Sequence, residues 1–293
     1  MEIGGLNVQI EVDGGIRLDD IDPLYGPFFP QEDVSPENID IGISITLDPI
    51  PPFENLERIF DSDQSWSMFR DGKEYYVAMH PPIMESPLWL VRTDRAFTKA
   101  TIFCSERLVT KKNGKFRLSN PLTYPLDQIL LMNNLAHQKG ALIHAAGAAF
   151  PGGGIIFPGK SGAGKSSLSK QLATGKGFEL LSDDRVIVRA MNGSFKAFGT
   201  PWPGEAGISV NKSIPLKGVL FLCHGSQNRI EIISRKEALE RLIPTVSIPW
   251  YDKECMTNLL DLCETLISRV TVGVLHFKPD IEAICVWERF MTK

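Results

Sequence analysis

The sequence predicts an α/β protein in which a domain with a mixed sheet and a phosphate-binding loop follows a smaller, strand-rich α+β domain. Two observations support this fold class. Residues 1–120 contain short segments in which apolar and polar residues alternate, whereas residues 121–293 contain strand and helix patterns in turn. In the second part, a glycine-rich loop joins an apolar strand to a helix. We therefore predict two domains, 1–120 and 121–293, with the boundary near Asn120 and Pro121.

The composition is typical of a globular protein without nucleic-acid or membrane partners. The 293 residues are 43% hydrophobic and 23% charged, and their net charge of −4 comes without a basic tail that would bind a polyanion. No apolar run approaches the roughly 18 residues of a membrane-spanning helix, and the N-terminus lacks the features of a secretory signal. The five cysteines are scattered, with no CxxC pair and no histidine at metal-ligand spacing. We therefore expect a cytoplasmic protein.

The first domain is predicted to consist mainly of strands. Period-two alternation indicates strands at 6–12, 41–47, 75–79, 89–91 and 101–104. The dipeptide Asn113-Gly114 predicts a tight hairpin. The aromatic residues of this part either line a substrate surface or, as we favour, pack in the core or at its edge: Tyr25, Phe28, Phe29, Trp66 and Phe69. No catalytic constellation is recognisable here.

The second domain is predicted to begin with a helix over 126–136 that Gly140 terminates. A run of small and apolar residues follows at 141–150, and a Pro-Gly-Gly turn then leads into a second apolar strand at 153–157. The strand that enters the glycine-rich loop is therefore predicted to be one arm of a β-hairpin.

The glycine loop, residues 159–166, matches the phosphate-binding pattern GxxxxGK[ST]. Glycines permit positive φ and close approach of an anion, so successive backbone N–H groups can point at one phosphate, assisted by the positive end of the next helix. In that helix Leu168 and Leu172 share one face, and Gly175 is the expected C-cap. The alternative is a degenerate loop that has lost its nucleotide. The predicted nucleotide-binding residues are Gly159, Lys160, Ser161, Gly162, Ala163, Gly164, Lys165, Ser166 and Ser167.

An acidic turn, Asp183-Asp184, follows the apolar run 178–182. A strand, a crossover helix and a parallel strand in one sheet bring both carboxyl ends to the same edge, so these carboxylates are predicted to lie beside the glycine loop. Phosphoryl transfer requires oxygen ligands at that place. The alternative is a solvated turn that opens the hairpin closed by Asn192-Gly193.

The rest of the chain is predicted to be scaffold, apart from one glutamate. In the Pro/Gly segment, residues 199–205, Glu205 is either a metal contact or an ordinary surface residue, and Trp202 is expected to anchor packing rather than to stack on a base. Strands at 216–222 and 228–233 are predicted to pair. The remaining expected elements are a helix opened by a capping box at 234–237, a helix at 256–268, a strand at 270–275 and a helix from Pro279.

Four features, in this order, resemble the C-terminal catalytic domain of HPr kinase/phosphorylase over roughly residues 125–290. They are His144, fifteen residues before Gly159, the loop GKSGAGKSS, the LLSDD run and the GTPWPGE segment. PEP carboxykinases share this fold but are far longer chains. The resemblance implies an HPr-kinase/PEP-carboxykinase-like P-loop domain that uses ATP and Mg²⁺.

The resemblance also implies a role for each matching side chain. Lys165 would hold the β- and γ-phosphates, and Ser166 would give its hydroxyl to Mg²⁺. Asp183 would act as the base, oriented by His144, with Asp184 on or near the metal and Glu205 as a further metal contact. Without the resemblance, a histidine flanked by alanines in an apolar strand is more simply a core residue.

The chain also departs from that family. The signature ExRGxG and the Arg-rich C-terminal loop do not occur, so neither HPr as acceptor nor the reverse phosphorolysis is expected. We predict a divergent serine-kinase-like phosphotransferase that acts on a protein or peptide, similar to relatives found in peptide-modification gene cassettes. The alternative is a nucleotide-binding regulatory or assembly module. Members of the family assemble into oligomers, which favours a homo-oligomer here. Nothing in the sequence identifies the acceptor.

Overall fold

The structure is a computed structural model, and it describes residues 1–19, 21–30, 34–63, 65–81, 84, 86–112, 114–160, 162–174 and 177–278. Ser161, Gly175, Asn113 and the helix predicted from Pro279 lie outside these residues. The described chain is mixed α/β, with large mixed sheets and few helices. None of the helices within those ranges has the length and apolar character needed to cross a membrane.

The chain forms two compact units. The first contains Met1, Leu6–Pro23 and Pro30–Asn134, and the second contains Glu2–Gly5, Leu24–Phe29 and the chain from Leu135 onward. The division falls inside the first α-helix, C-terminal to the boundary predicted near residue 120. Two short N-terminal segments, Glu2–Gly5 and Leu24–Phe29, belong to the second unit. The alternation of apolar and polar residues does not predict this assignment.

The first unit is strand-rich, as predicted. In its larger sheet the spatial order is β2-β4-β9-β8-β7-β6-β5, with β2, β4 and β9 parallel, and β10, β11 and β3 form a smaller sheet. Each strand segment predicted here is found. The N-terminal strands are β1 (Glu2–Ile3), β2 (Leu6–Val12), β3 (Arg17–Asp19), β4 (Ile41–Thr46), β5 (Glu57–Asp61), β6 (Trp66–Asp71), β7 (Glu74–Met79), β8 (Trp89–Asp94), β9 (Lys99–Cys104), β10 (Val109–Lys112) and β11 (Lys115–Ser119).

The elements from residue 126 onward follow the predicted order. Ser234 caps α3 by accepting the N–H of Glu237 at 3.2 Å, and Asp252 caps α4 by accepting that of Cys255 at 2.9 Å. The elements are α1 (Leu126–His137), β12 (Gly140–Phe150), β13 (Gly153–Pro158), α2 (Lys165–Thr174), β14 (Glu179–Ser182), β15 (Arg185–Met191), β16 (Ser194–Phe198), β17 (Ser213–His224), β18 (Arg229–Ile232), α3 (Arg235–Leu242), α4 (Lys253–Arg269) and β19 (Thr271–Phe277).

Strand β12 organises the sheet of the second unit. It pairs antiparallel with β13 along one edge, as the predicted hairpin requires, and with β14 and β15 along the other. Strands β13 and β14 are therefore parallel and end at the same edge of the sheet, as predicted. They are not neighbours, however, because β12 lies between them.

The parallel strands β17 and β19 extend the sheet beyond β13. The predicted pairing of 216–222 with 228–233 is wrong, since β19 lies between β17 and β18 and pairs with both. A crossover through α3 and α4 brings β19 into this position, and the patterns of β17 and β18 alone cannot reveal it.

Helix α2 is held on the sheet by its apolar face. Leu168 and Leu172 are fully buried and pack in one cluster with Phe157 of β13 and Phe277 of β19. Burial of such a side chain stabilises a fold by roughly 1.5–3 kcal/mol. The predicted shared face of these two leucines is confirmed, and it fixes the start of α2 at the end of β13.

Candidate functional site

A cleft of about 450 Å³ lies in the second unit where β13, β14 and β17 end. Parallel strands present their carboxyl ends at one edge of a sheet, which is where open α/β sheets bind ligands. All the side chains predicted for catalysis or metal binding line it, whereas Gly159, Lys160 and Ala163 do not. The lining residues are His144, Gly162, Gly164, Lys165, Ser166, Ser167, Asp183, Asp184, Gly204, Glu205 and His224.

The glycine loop has a backbone that requires its glycines. Gly162 and Gly164 have φ values of 83° and 97°, which side chains of L-residues rarely adopt. A Cβ atom on Gly164 would also lie 2.7 Å from the ring of Phe277. Helix α2 begins at Lys165, within the last two residues of the loop, so the backbone N–H groups of its first turn, which have no partner within the helix, are at the cleft.

Lys165 is folded over the glycine loop and is only 6% exposed. Its Nζ donates to the carbonyl oxygens of Gly159 at 2.7 Å and Lys160 at 3.2 Å. An ammonium group has three donors, so one remains for an anion in the cleft. Burial lowers the pKa of Lys165, and the charges of Asp184 and Asp183 oppose this shift only in part, while the charge of Arg185 adds to it.

Asp184 is contacted by a histidine and an arginine. Its Oδ1 lies 2.8 Å from Nε2 of His144, and its Oδ2 lies 3.3 Å from Nε of Arg185. The hydrogen bond from His144 lowers the pKa of Asp184 most, with the charges of His144, Arg185 and Lys165 adding to the effect while burial opposes it. The carboxylate is therefore ionised and held in one orientation at the cleft.

Asp183 has a different environment. It is 3% exposed, and its Oδ1 and Oδ2 accept the backbone N–H groups of Gly204 at 2.9 Å and Ala206 at 2.7 Å. The expected contact between His144 and Asp183 is therefore wrong, because the imidazole pairs with Asp184. Adjacent residues at a strand end point in different directions, and only the fold shows which of them meets the histidine.

Strand β12 aligns the two halves of the site. The carbonyl of His144 accepts the N–H of Gly159 at 3.1 Å, so it holds the start of the glycine loop. The next residue, Ala145, donates its N–H to the carbonyl of Asp184 at 2.9 Å. One strand thus fixes both the loop and the acidic turn, which explains why they share a cleft although β13 and β14 are not neighbours.

The chain around the Pro/Gly segment is anchored on several sides. Thr200 donates to the carbonyl of Arg185 at 2.7 Å, and Ser209 donates to that of Leu24 at 2.8 Å. Trp202 is 8% exposed and its Nε1 donates to the hydroxyl of Tyr25 at 3.0 Å, in agreement with the expected packing role. This anchoring leaves Glu205 exposed at the mouth of the cleft.

Oxygen ligands of the kind that Mg²⁺ prefers are present, but they are spread over three elements. Ser166 is the second residue of α2, Asp184 follows β14 and Glu205 lies in the Pro/Gly segment. Across the described ranges, no group of three or more histidine, cysteine or acidic side chains could by itself hold a metal ion.

Two further residues of the site were not predicted. Arg185 contacts Asp184, and His224 ends β17 and lines the cleft. The sequence contains a signal for His224, because this histidine follows the apolar strand predicted at 216–222. This signal identifies a residue of the cleft only when it is known that β17 is parallel to β13 and therefore ends at the same edge of the sheet.

Gly204 gives a test of how closely the Pro/Gly segment must approach the acidic turn. A Cβ atom there would lie 2.8 Å from Oδ2 of Asp183 and 3.1 Å from Cβ of Asp184. We expect Gly204→Ala to lower the free energy of unfolding by about 1–3 kcal/mol, as overpacking does, measured by denaturant titration. The control is Gly26→Ala, where a Cβ atom would meet nothing within 4 Å. Equal stabilities of the two variants would contradict the proposed close approach.

A protein-family model matches the part of the chain that forms the cleft. The model of the family described as "ScmC: SynChlorMet cassette protein ScmC" matches residues 126–259. This range is less than half of the 293 residues, yet it includes every described residue that lines the cleft. Comparison with the curated proteins finds no match. From α1 into α4, the chain is therefore similar to the ScmC family.

Proposed function

We propose that this protein is an ATP- and Mg²⁺-dependent phosphotransferase that transfers the γ-phosphate to the hydroxyl of a serine in a protein or peptide. The proposal includes an HPr-kinase-like P-loop fold for the second unit. Its main support is that the glycine loop, the buried ammonium group of Lys165 and the ionised carboxylate of Asp184 line one cleft. Phosphoryl transfer depends mostly on positioning and electrostatic stabilisation, and these groups supply both.

The chemistry of the cleft fits a nucleotide with its metal. A volume of about 450 Å³ lies within the roughly 300–1,000 Å³ of small-molecule sites. Lys165 has a donor left for the phosphates, and the first turn of α2 adds backbone N–H groups. Mg²⁺ is usually held by one or two carboxylates together with substrate phosphates, and Ser166 and Glu205 would hold it here. When bound, the ion neutralises charge on the phosphate oxygens.

We assign to Asp184, in place of Asp183, the role of the base that takes the proton of the acceptor hydroxyl. Both oxygens of Asp183 hold backbone N–H groups, whereas Asp184 is turned to the cleft by His144 and Arg185. Each oxygen of Asp184 has one N–H partner there and keeps a lone pair for a hydroxyl proton. Asp184 would orient the hydroxyl and take its proton as the new O–P bond forms and the bond to the β-phosphate oxygen breaks.

A labelling experiment tests transfer directly. The full chain is incubated with Mg²⁺, ATP labelled in the γ-phosphate and a library of serine-containing peptides, with a matched library carrying alanine in place of serine as the control. We expect label on the serine peptides and none on the alanine peptides. Tight ATP binding without transfer to peptide or water would contradict the proposal and support a nucleotide-binding regulatory module instead.

A further inference from the structure

The two sides of the cleft differ in chemistry. Strands β12 and β14 bring His144 and the acidic turn to one side of the glycine loop. On the other side β17 and β19 are neighbours, and their last residues, His224 and Phe277, are paired across the ladder. A chain of phosphates bound over the loop has one end that faces the acceptor hydroxyl and one end that is attached to the rest of the donor. The side with the acidic turn suits the end that faces the acceptor. The opposite side is therefore available to whatever the phosphates are attached to.

That opposite side carries two rings in contact, tilted against each other. His224 is exposed at the cleft, and its ring centroid lies 5.2 Å from that of the buried Phe277, with 32° between the ring planes. The ring lies close to the glycine loop, since a Cβ atom added to Gly164 would lie 3.3 Å from Cε1 of His224. Phe277 thus supports His224 from within the core and holds a flat ring beside the position predicted for phosphates.

The contacts of His224 differ from those expected of a proton-transfer group or a metal ligand. Such histidines are usually oriented by a carboxylate or a carbonyl on the other ring nitrogen. The rings of His144 and His276 have carboxylate partners of this kind, Asp184 and Glu231. In the part of the chain that the structure describes, the His224 side chain contacts a ring instead of a polar partner.

We infer that His224, supported by Phe277, is the surface on which the base of a nucleotide stacks. This inference rests on the proposed function and extends it, because it assigns a residue to the base of ATP, whereas the groups that support the proposed function would contact only the phosphates, the metal ion and the acceptor. Base stacking on a flat ring tolerates all bases, since every base has a π-face. Purine triphosphates are therefore expected to bind with similar affinities.

Binding of two probes separates the base from the phosphates. Affinities for MgATP and for inorganic triphosphate with Mg²⁺ are measured by calorimetry on the full chain. We expect His224→Ala to weaken ATP binding by about five- to tenfold, at the low end of measured stacking effects, and to change triphosphate binding by less than about twofold. His224→Phe keeps a flat ring and is expected to bind ATP nearly as well as the wild type.

The control is His276→Ala, on the neighbouring strand, whose ring contacts Glu231 and does not line the cleft. It is expected to leave both affinities unchanged. Equal weakening of both probes by His224→Ala, or no weakening of either, would overturn the inference. A wild-type protein that binds triphosphate as well as ATP would also overturn it, while leaving the phosphate site of the proposed function in place. Binding of neither probe would overturn both.

Discussion

Replacement of Asp184 by Asn is expected to reduce phosphate transfer on the order of 10³-fold, the range for loss of a general base. The amide has nearly the shape of the carboxylate, but its NH₂ must face either His144 or Arg185, so one of these two contacts is weakened and the other loses charge. It cannot take a proton from the acceptor hydroxyl. Nucleotide affinity is expected to stay within about threefold of the wild type, because the proposed function assigns the phosphates to the glycine loop and Lys165. Single-turnover transfer of the γ-phosphate and calorimetric ATP binding check the two parts.

Asp183→Asn is the matched variant, since it makes the same change one residue earlier. Asp183 accepts backbone N–H groups at both oxygens, and an amide would turn its NH₂ toward one of them. We expect a loss of stability, of about 1–3 kcal/mol for a buried donor without an acceptor. A variant that unfolds as the wild type does, binds ATP normally and has lost transfer would return the catalytic role to Asp183.

Lys165→Met is expected to weaken ATP binding on the order of 10²-fold, in the range for loss of one partner from a buried charge pair. Methionine keeps most of the apolar stem, whereas the ammonium donors to Gly159, Lys160 and the phosphates are lost. Burial already disfavours the charge of Lys165 in the free protein, so its removal is expected to cost little stability. Calorimetric titration with ATP and thermal unfolding measure the two effects.

Lys170→Met makes the same substitution on the same helix, at an exposed position. It is expected to bind ATP as the wild type does. If both variants lose affinity equally, the effect belongs to the general charge of α2 and the assigned role of Lys165 is wrong.

Local patterns were sufficient to predict the elements that form the site. The glycine loop, the hairpin that enters it and the paired leucines of α2 follow from spacing and from the conformational needs of glycine, and the structure contains all three. The capping box at Ser234 was recognised for the same reason, because an N-cap uses residues within one turn. Such features need no knowledge of distant parts of the chain.

Contacts between residues distant in sequence could not be predicted in this way. The partner of His144, the strand beside β17 and the anchoring of Trp202 by Tyr25 all depend on how strands are ordered in space. Alternation along a strand indicates that it has two faces, but not which strand lies next to it. The same limit explains why His224 was not recognised as a residue of the cleft.

The amino-acid pattern alone predicts a glycine loop that carries a lysine and a serine into a helix, followed by an acidic turn at the end of a strand. Which of the two acids faces the cleft follows from the packing of the strands. The carbonyl of His144 and the N–H of Ala145 hold the loop and the turn from one strand, and this leaves Asp184 against the imidazole and Asp183 against the Pro/Gly segment. Residue spacing along the chain is local, whereas the partner of a buried carboxylate is whatever donor the fold brings within hydrogen-bond distance.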